Sequence, residues 1–257
     1  MTRERQKKTP SGGDNTAKAE RIAKVMARAG LCSRREAERW IADGRVTVNG
    51  KLLDSPAVTI GPDDKVVVDG KPLPQKEKTR LFMFHKPAGL VTTNSDEHGR
   101  KTVFDALPED LPRVMSVGRL DINTEGLLLF TNDGAIARYM ELPATGWKRR
   151  YRVRVHGDVS AEMLQKLEKG ITYEGVQYEP AEVSLDSQSG QQSWLTISIS
   201  EGKNREIRNM MTALDLQVSR LIRVSYGPFQ LGKLPRGAVK EIPHKIIKDQ
   251  LAAAGVT

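Results

Sequence analysis

The stretch Gly118-Arg-Leu-Asp-Ile-Asn-Thr-Glu-Gly-Leu-Leu-Leu-Phe-Thr-Asn-Asp-Gly134 decides how this chain is read. The apolar run from Leu127 to Phe130 has no helical period and is bounded by turn residues, which predicts a strand buried on both faces. Asn132-Asp133-Gly134 ends it. Asp121 opens the polar turn before the strand, so a lone carboxylate stands on a loop held by rigid structure, with Arg119 two residues ahead of it. Taken alone, such an aspartate has an ordinary role, because its side chain bonds nearby backbone amides in turns.

The 257 residues suffice for one large or two smaller domains. A formal charge of +9 and a pI near 9.6 imply an acidic partner, nucleic acid before an anionic membrane surface. No stretch reaches the roughly 18 apolar residues of a membrane span, and Met1 to Lys18 lacks an apolar signal core, so a cytoplasmic protein with no membrane partner is expected. Cys32 is the sole cysteine, and His85, His98, His156 and His244 stand singly, so no metal site is expected. There is no G-x-G-x-x-G and no P-loop, so no cofactor is expected either.

Residues 1–18 read as a disordered basic arm. Residues 19–73 read as a small domain. Ile22, Val25, Met26 and Ala29 mark one helix that Gly30 closes, and Ser33 to Glu36 is a capping box that opens a second. Ala37, Trp40 and Ile41 form the second helix's core face, and Gly44 stops it. Short strands with Asn49-Gly50 and Asp69-Gly70 turns follow. Arg21, Lys24, Arg28, Arg34, Arg35, Arg39 and Arg45 lie off the apolar faces against few acids, a surface suited to tracking RNA phosphates. Residues 74–80 are a charged, Pro-rich linker, 81–243 a second domain, and 244–257 a tail expected to be helical.

In the second domain Leu81 to Phe84 reads as a strand and Ala135 to Met140 as a short helix. From Arg150 to Val155 the chain alternates, placing Tyr151, Val153 and Val155 on one face and three arginines on the other. Ser160 caps a helix that Gly170 ends, and Trp194 to Ser200 alternates again. The Glu201 to Arg208 run turns into a helix with Ile207, Met210, Met211 and Leu214 inward and Arg205, Arg208, Asn209 and Thr212 opposite. Val218 to Tyr226 and Leu231 to Ile242 supply further strands. The fold class is α+β with a mostly antiparallel, mixed sheet.

The whole Gly118 to Gly134 string resembles the catalytic-aspartate motif of the RsuA/RluB/RluE/RluF family of RNA pseudouridine synthases. His85-Lys86-Pro87-Ala88-Gly89 is similar to that family's K-P-x-G opening. The Gly202 to Arg208 run resembles its third motif, with Lys203 in one basic slot, and Leu234-Pro-Arg-Gly237 its closing pattern. Residues 30–37 and 44–50 resemble the αL-type RNA-binding domain named after a small-subunit ribosomal protein. Within the family, the segment after Asp121 looks nearest the RluB type, although Glu125 departs from that pattern.

The resemblance implies conversion of uridine to pseudouridine in ribosomal RNA, on the large subunit near the peptidyl-transferase centre for the RluB type, without a cofactor. It implies that Asp121 is the essential carboxylate, attacking uracil C6 or sugar C1′ or acting through a glycal. It implies a guanidinium partner from the third motif, Arg208 first and Arg205 second. Tyr151 would stack against the base, and Arg119 would fill the space of a flipped base or bind a phosphate. A small-subunit substrate and a non-catalytic ribosome-assembly factor remain the alternatives, with a monomer as the default state. A methyltransferase would need a glycine-rich loop that this chain lacks.

Overall fold

The computed structural model describes residues 19–75 and 77–255, so the basic arm expected over residues 1–18 lies outside it. The chain divides into two compact units between Glu77 and Lys78.

In the first unit, helix Ile22–Arg28 buries Ile22, Ala23 and Met26, and Gly30 follows it at φ +80°. Helix Arg34–Ala42 begins at the capping box: the Ser33 hydroxyl accepts from the Glu36 amide at 3.2 Å, and the Glu36 carboxylate accepts from the Ser33 amide at 2.6 Å. The reciprocal bonds satisfy two of the helix's free N–H groups and contribute on the order of 1 kcal/mol. A four-stranded antiparallel sheet runs in the order 51–52, 46–48, 66–68, 71–72. Its turns at Asn49-Gly50 and Asp69-Gly70 have both residues at positive φ, the geometry that matches strand twist in tight hairpins. Trp40 lies half-buried against this core, with the Arg45 guanidinium 4.5 Å above its ring.

The second unit is built on a sheet ordered 182–189, 192–199, 149–156, 217–226, 125–131, 81–86, 239–241, with 115–117 and 229–230 pairing alongside. Every pairing is antiparallel except Gln217–Tyr226 on Glu125–Thr131. All seven residues of Glu125–Thr131 are buried, as the unbroken apolar run requires. Leu128 and Phe130 join Val153, Ile197, Met210 and Met211 in one layer. Leu127 and Leu129 join Ile136, Met140, Ile247 and Leu251 in the other, beneath helices Gly134–Glu141 and His244–Leu251.

Gly126 makes the parallel pairing of Gln217–Tyr226 with Glu125–Thr131 possible. A Cβ there would stand 2.2 Å from the Arg223 carbonyl oxygen, and the residue holds φ +104°. Only glycine permits this approach and this φ without displacing backbone.

Two expectations need correction. Leu231–Ile242 is not one strand: Phe229–Gln230 and Val239–Glu241 flank a loop, because Pro235 removes an amide and Gly232 and Gly237 adopt positive φ. The helix of the third motif starts only at Glu206, and Arg205 precedes it at φ +50°, so Arg205 is not on the helix face.

Candidate active site

Asp121 lies between two anchors, the buried strand that starts at Glu125 and a turn closed by the Thr124 amide on the Asp121 carbonyl at 2.9 Å. Its side chain opens into a cleft of about 570 Å³, which Arg119, Tyr151, Lys203, Arg205 and Arg208 also line. Residues spread over 90 positions, from Arg119 to Arg208, thus converge on one concave site.

Tyr151 reaches the cleft because strand Arg149–His156 alternates, turning Tyr151 inward with Val153 and Val155. It is 8% exposed, lining the cleft while most of the ring packs in the core. Arg205 places Nη1 3.8 Å from Asp121 Oδ2. Arg208 instead donates from Nη2 to the Asn123 carbonyl at 3.0 Å. The order expected for the aspartate's partner is therefore reversed. Arg205, held in a left-handed conformation ahead of the helix, forms the ion pair, while half-buried Arg208 ties down the loop that follows Asp121. Burial lowers the Arg208 pKa, Arg205 adds to that, and Asp121 opposes it.

Arg119 is exposed at the cleft, where it also borders a second groove lined by Asp96, His98 and Arg100. Lys203 pairs with the Glu201 carboxylate at 2.6 Å and donates to the Gln177 carbonyl at 2.6 Å. Its charge thus holds the loop at the rim. In the first unit Arg21, Arg34, Arg35 and Arg39 are exposed. Lys24 and Arg28 both pair with Glu20, at 2.5 and 2.6 Å, and Arg45 pairs with Asp69 at 2.5 Å. These acids offset part of the basic surface that the sequence implies.

Several residues escaped sequence reasoning. Lys86 is fully buried, and its ammonium donates to the carbonyls of Pro87, Asp121, Ile122 and Thr124 at 3.1, 3.1, 3.3 and 2.9 Å. A cation centred under this turn fixes the backbone on which Asp121 rides. Burial lowers the Lys86 pKa to about 8, against the opposing pull of Asp121 and Glu125. The available signal was a lysine at the end of an otherwise apolar strand. Arg223, 2% exposed, donates from Nε to the Leu127 carbonyl at 2.7 Å. Glu125 receives Arg220 at 2.8 Å and also pairs with Arg236, which lowers its pKa, Arg220 contributing most.

Glu206 is 3% exposed at the base of the cleft. One carboxyl oxygen accepts the Lys203 amide at 2.9 Å, and the other has no hydrogen-bond partner among the described residues. Burial, with the neighbouring Glu201 carboxylate, pushes it up to about 8, so it carries a proton at neutral pH.

Comparison with known proteins agrees with this geometry. The family described as RNA pseudouridylate synthase matches residues 80–213, and the S4 domain matches residues 20–66. An uncharacterized RNA pseudouridine synthase of Rickettsia felis is 44% identical over 229 residues, covering 89% of this chain and 99% of the relative. Ribosomal large subunit pseudouridine synthase B of Haemophilus influenzae is 43% identical over 233 residues, covering 88% of this chain and 65% of the relative. A crystal structure of a pseudouridylate synthase superposes with a TM-score of 0.63 at 27% identity, covering 89% of this chain and 98% of that one. No helix among the described residues is long and apolar enough to cross a membrane.

Proposed function

Since the chain belongs to the RNA pseudouridylate synthase family and carries an S4 domain, we propose that it isomerises one uridine of large-subunit ribosomal RNA, with Asp121 as the attacking carboxylate. The observation that carries this reading is the meeting of Asp121, Tyr151 and Arg205 in a single cleft. The relatives named for large-subunit ribosomal RNA support the choice of substrate.

The reaction breaks the N1–C1′ bond, turns the freed uracil and joins C5 to C1′, and the C5 hydrogen leaves as a proton. It consumes no oxidant, reductant or second substrate. The base must leave its stack to reach Asp121, at a cost of a few kcal/mol that phosphate contacts offset. The Arg205 guanidinium places a positive charge 3.8 Å from the Asp121 carboxylate. Lys86 and Arg208 hold the backbone carbonyls of Asp121 and of the turn that follows it, so the group is oriented before the base arrives. Tyr151 offers the ring face against which the base rests, and Arg119 stands where it can occupy the vacated stack or grip a phosphate. The first unit adds affinity through Arg34, Arg35 and Arg39 on its second helix.

Tritium release from large-subunit ribosomal RNA labelled at uridine C5 tests the assignment. Wild type should release tritium, and Asp121→Asn should release none while binding RNA about as tightly. Release by Asp121→Asn, or from small-subunit RNA alone, contradicts the respective part of the reading. Tight binding with no release, even from partly assembled particles, would favour an assembly factor.

A further inference from the structure

The second face of the large sheet is covered only in part. Helices Gly134–Glu141 and His244–Leu251 pack over its Leu127 and Leu129 side chains. Further out, strand Arg149–His156 turns Arg150, Arg152 and Arg154 away from the core side that Tyr151, Val153 and Val155 occupy, and Arg150 and Arg152 are exposed. None of Arg150, Arg152, Arg154 and Arg220 lines the cleft that contains Asp121 and Tyr151.

Strand register orders these cations. Arg154 stands directly opposite Trp194 on one neighbouring strand and opposite Arg220 on the other. The Arg152 and Arg154 guanidiniums lie 4.7 and 5.9 Å from the centre of the Trp194 ring. Two of the four arginines have carboxylates: Arg152 has Asp186 at 3.5 Å and Arg220 has Glu125 at 2.8 Å. Arg150 and Arg154 have no carboxylate partner among the described residues; their hydrogen bonds go to hydroxyls, Ser198 at 3.4 Å and Ser219 at 3.0 Å.

Like charges placed directly across a sheet destabilise it, and an anion lying between Arg154 and Arg220 would relieve that repulsion. Arginines two apart on a strand are spaced by about 6.8 Å, comparable to the phosphate repeat of an extended nucleic-acid strand. Guanidinium and indole planes together suit nucleotides better than carboxylate side chains, since they bind phosphate bidentately and stack on bases.

We propose that the uncovered face formed by Arg150, Arg152, Arg154 and Arg220 around Trp194 is a second RNA-contact surface, gripping substrate RNA at a segment remote from the target uridine. This rests on the RNA reading above and extends it, because it separates an anchoring surface from the catalytic cleft within one domain.

The double variant Arg150→Gln/Arg154→Gln tests it, since neither residue touches the cleft or has a carboxylate partner among the described residues. Binding of full-length large-subunit ribosomal RNA would be measured across a salt series beside wild type and Asp121→Asn. Two lost phosphate contacts should lower the slope of log K against log salt by about 1.4–1.8 and weaken binding several-fold, with an unchanged melting temperature. Asp121→Asn should keep the wild-type slope. An unchanged slope in the double variant overturns the proposal, and overturns it in favour of an acidic protein partner if the variant instead loses affinity for poly-L-glutamate. A reduced slope with no tritium release from wild type would sink the catalytic assignment while leaving this surface standing.

Discussion

Replacing Lys86 by Met asks how much of the site's order rests on one buried charge. Methionine matches the length and flexibility of the lysine stem but offers no donor. Four carbonyls, of Pro87, Asp121, Ile122 and Thr124, lose their shared partner together. Hydrogen bonds from a charged group contribute about 1.5–3 kcal/mol each, and the ammonium has three N–H donors to share among these carbonyls, which gives an upper bound of about 4.5–9 kcal/mol. Against this stands the desolvation of the ammonium, several kcal/mol that the variant no longer bears. The net loss should be about 2–4 kcal/mol, or roughly 5–15 °C in the melting of a unit of this size. The larger effect should be on turnover, because a 1 Å drift of Asp121 costs about a hundredfold. Thermal melts and single-turnover tritium release would be followed side by side. A Lys86→Met protein with wild-type melting and wild-type turnover would refute the idea that the ammonium organises the catalytic turn.

Gly126→Ala should cost at least about 3 kcal/mol, because its Cβ would collide with the Arg223 backbone at a φ that alanine resists; soluble expression with wild-type melting would contradict this. Glu206 sets a pH dependence. Its folded-state pKa is raised to about 8 from the ordinary 4.5, so its contribution to stability is greatest below pH 4.5 and is lost as the pH rises to about 8. Glu206→Gln keeps the neutral shape and should flatten that decline, seen in urea melts at pH 6 and 9; equal pH dependence in the two proteins would refute the assignment. Lys86 has the opposite sign, since its pKa falls to about 8 from 10.5: folding disfavours its charged form, and stability gains between those values as the pH rises. The turn that carries Asp121 nonetheless loses the charged donor there, so turnover should fall above about pH 8, and a flat alkaline limb in wild type would argue against the proposed role.

The parts of the fold readable in advance were those where one local rule acts alone. Ser33 and Glu36 form a capping box whatever surrounds them, and the alternation from Arg150 to Val155 leaves one register with an apolar core. Asp121, Tyr151 and the third-motif arginines could be gathered as a site by motif resemblance, but their pairing could not. Whether Arg205 or Arg208 faces the aspartate depends on where a helix begins, and a single left-handed residue decided it. The roles of Lys86, although it stands in the K-P-x-G motif, and of Glu206 were hidden for another reason. A buried charge is legible only with its partners, and the carbonyls on Lys86 lie up to 38 residues away. Nothing in Leu-Phe-Met-Phe-His-Lys announces them. The Glu125 cluster likewise joins Arg220 and Arg236, which only the folded chain brings near.

Strand Glu125–Thr131 has a consequence for how this protein can change over evolutionary time. It is paired on both edges and its side chains alternate between two separate cores. Adding or removing one residue there would exchange the two sets and misfit both. An insertion just upstream would shift Asp121 relative to Arg205 with no slack to absorb it. Length variation among descendants should therefore avoid residues 118–131 and gather in segments such as the polar 94–100 loop and the exposed 189–192 turn. Sequence can drift widely in this enzyme, but its spacing here cannot.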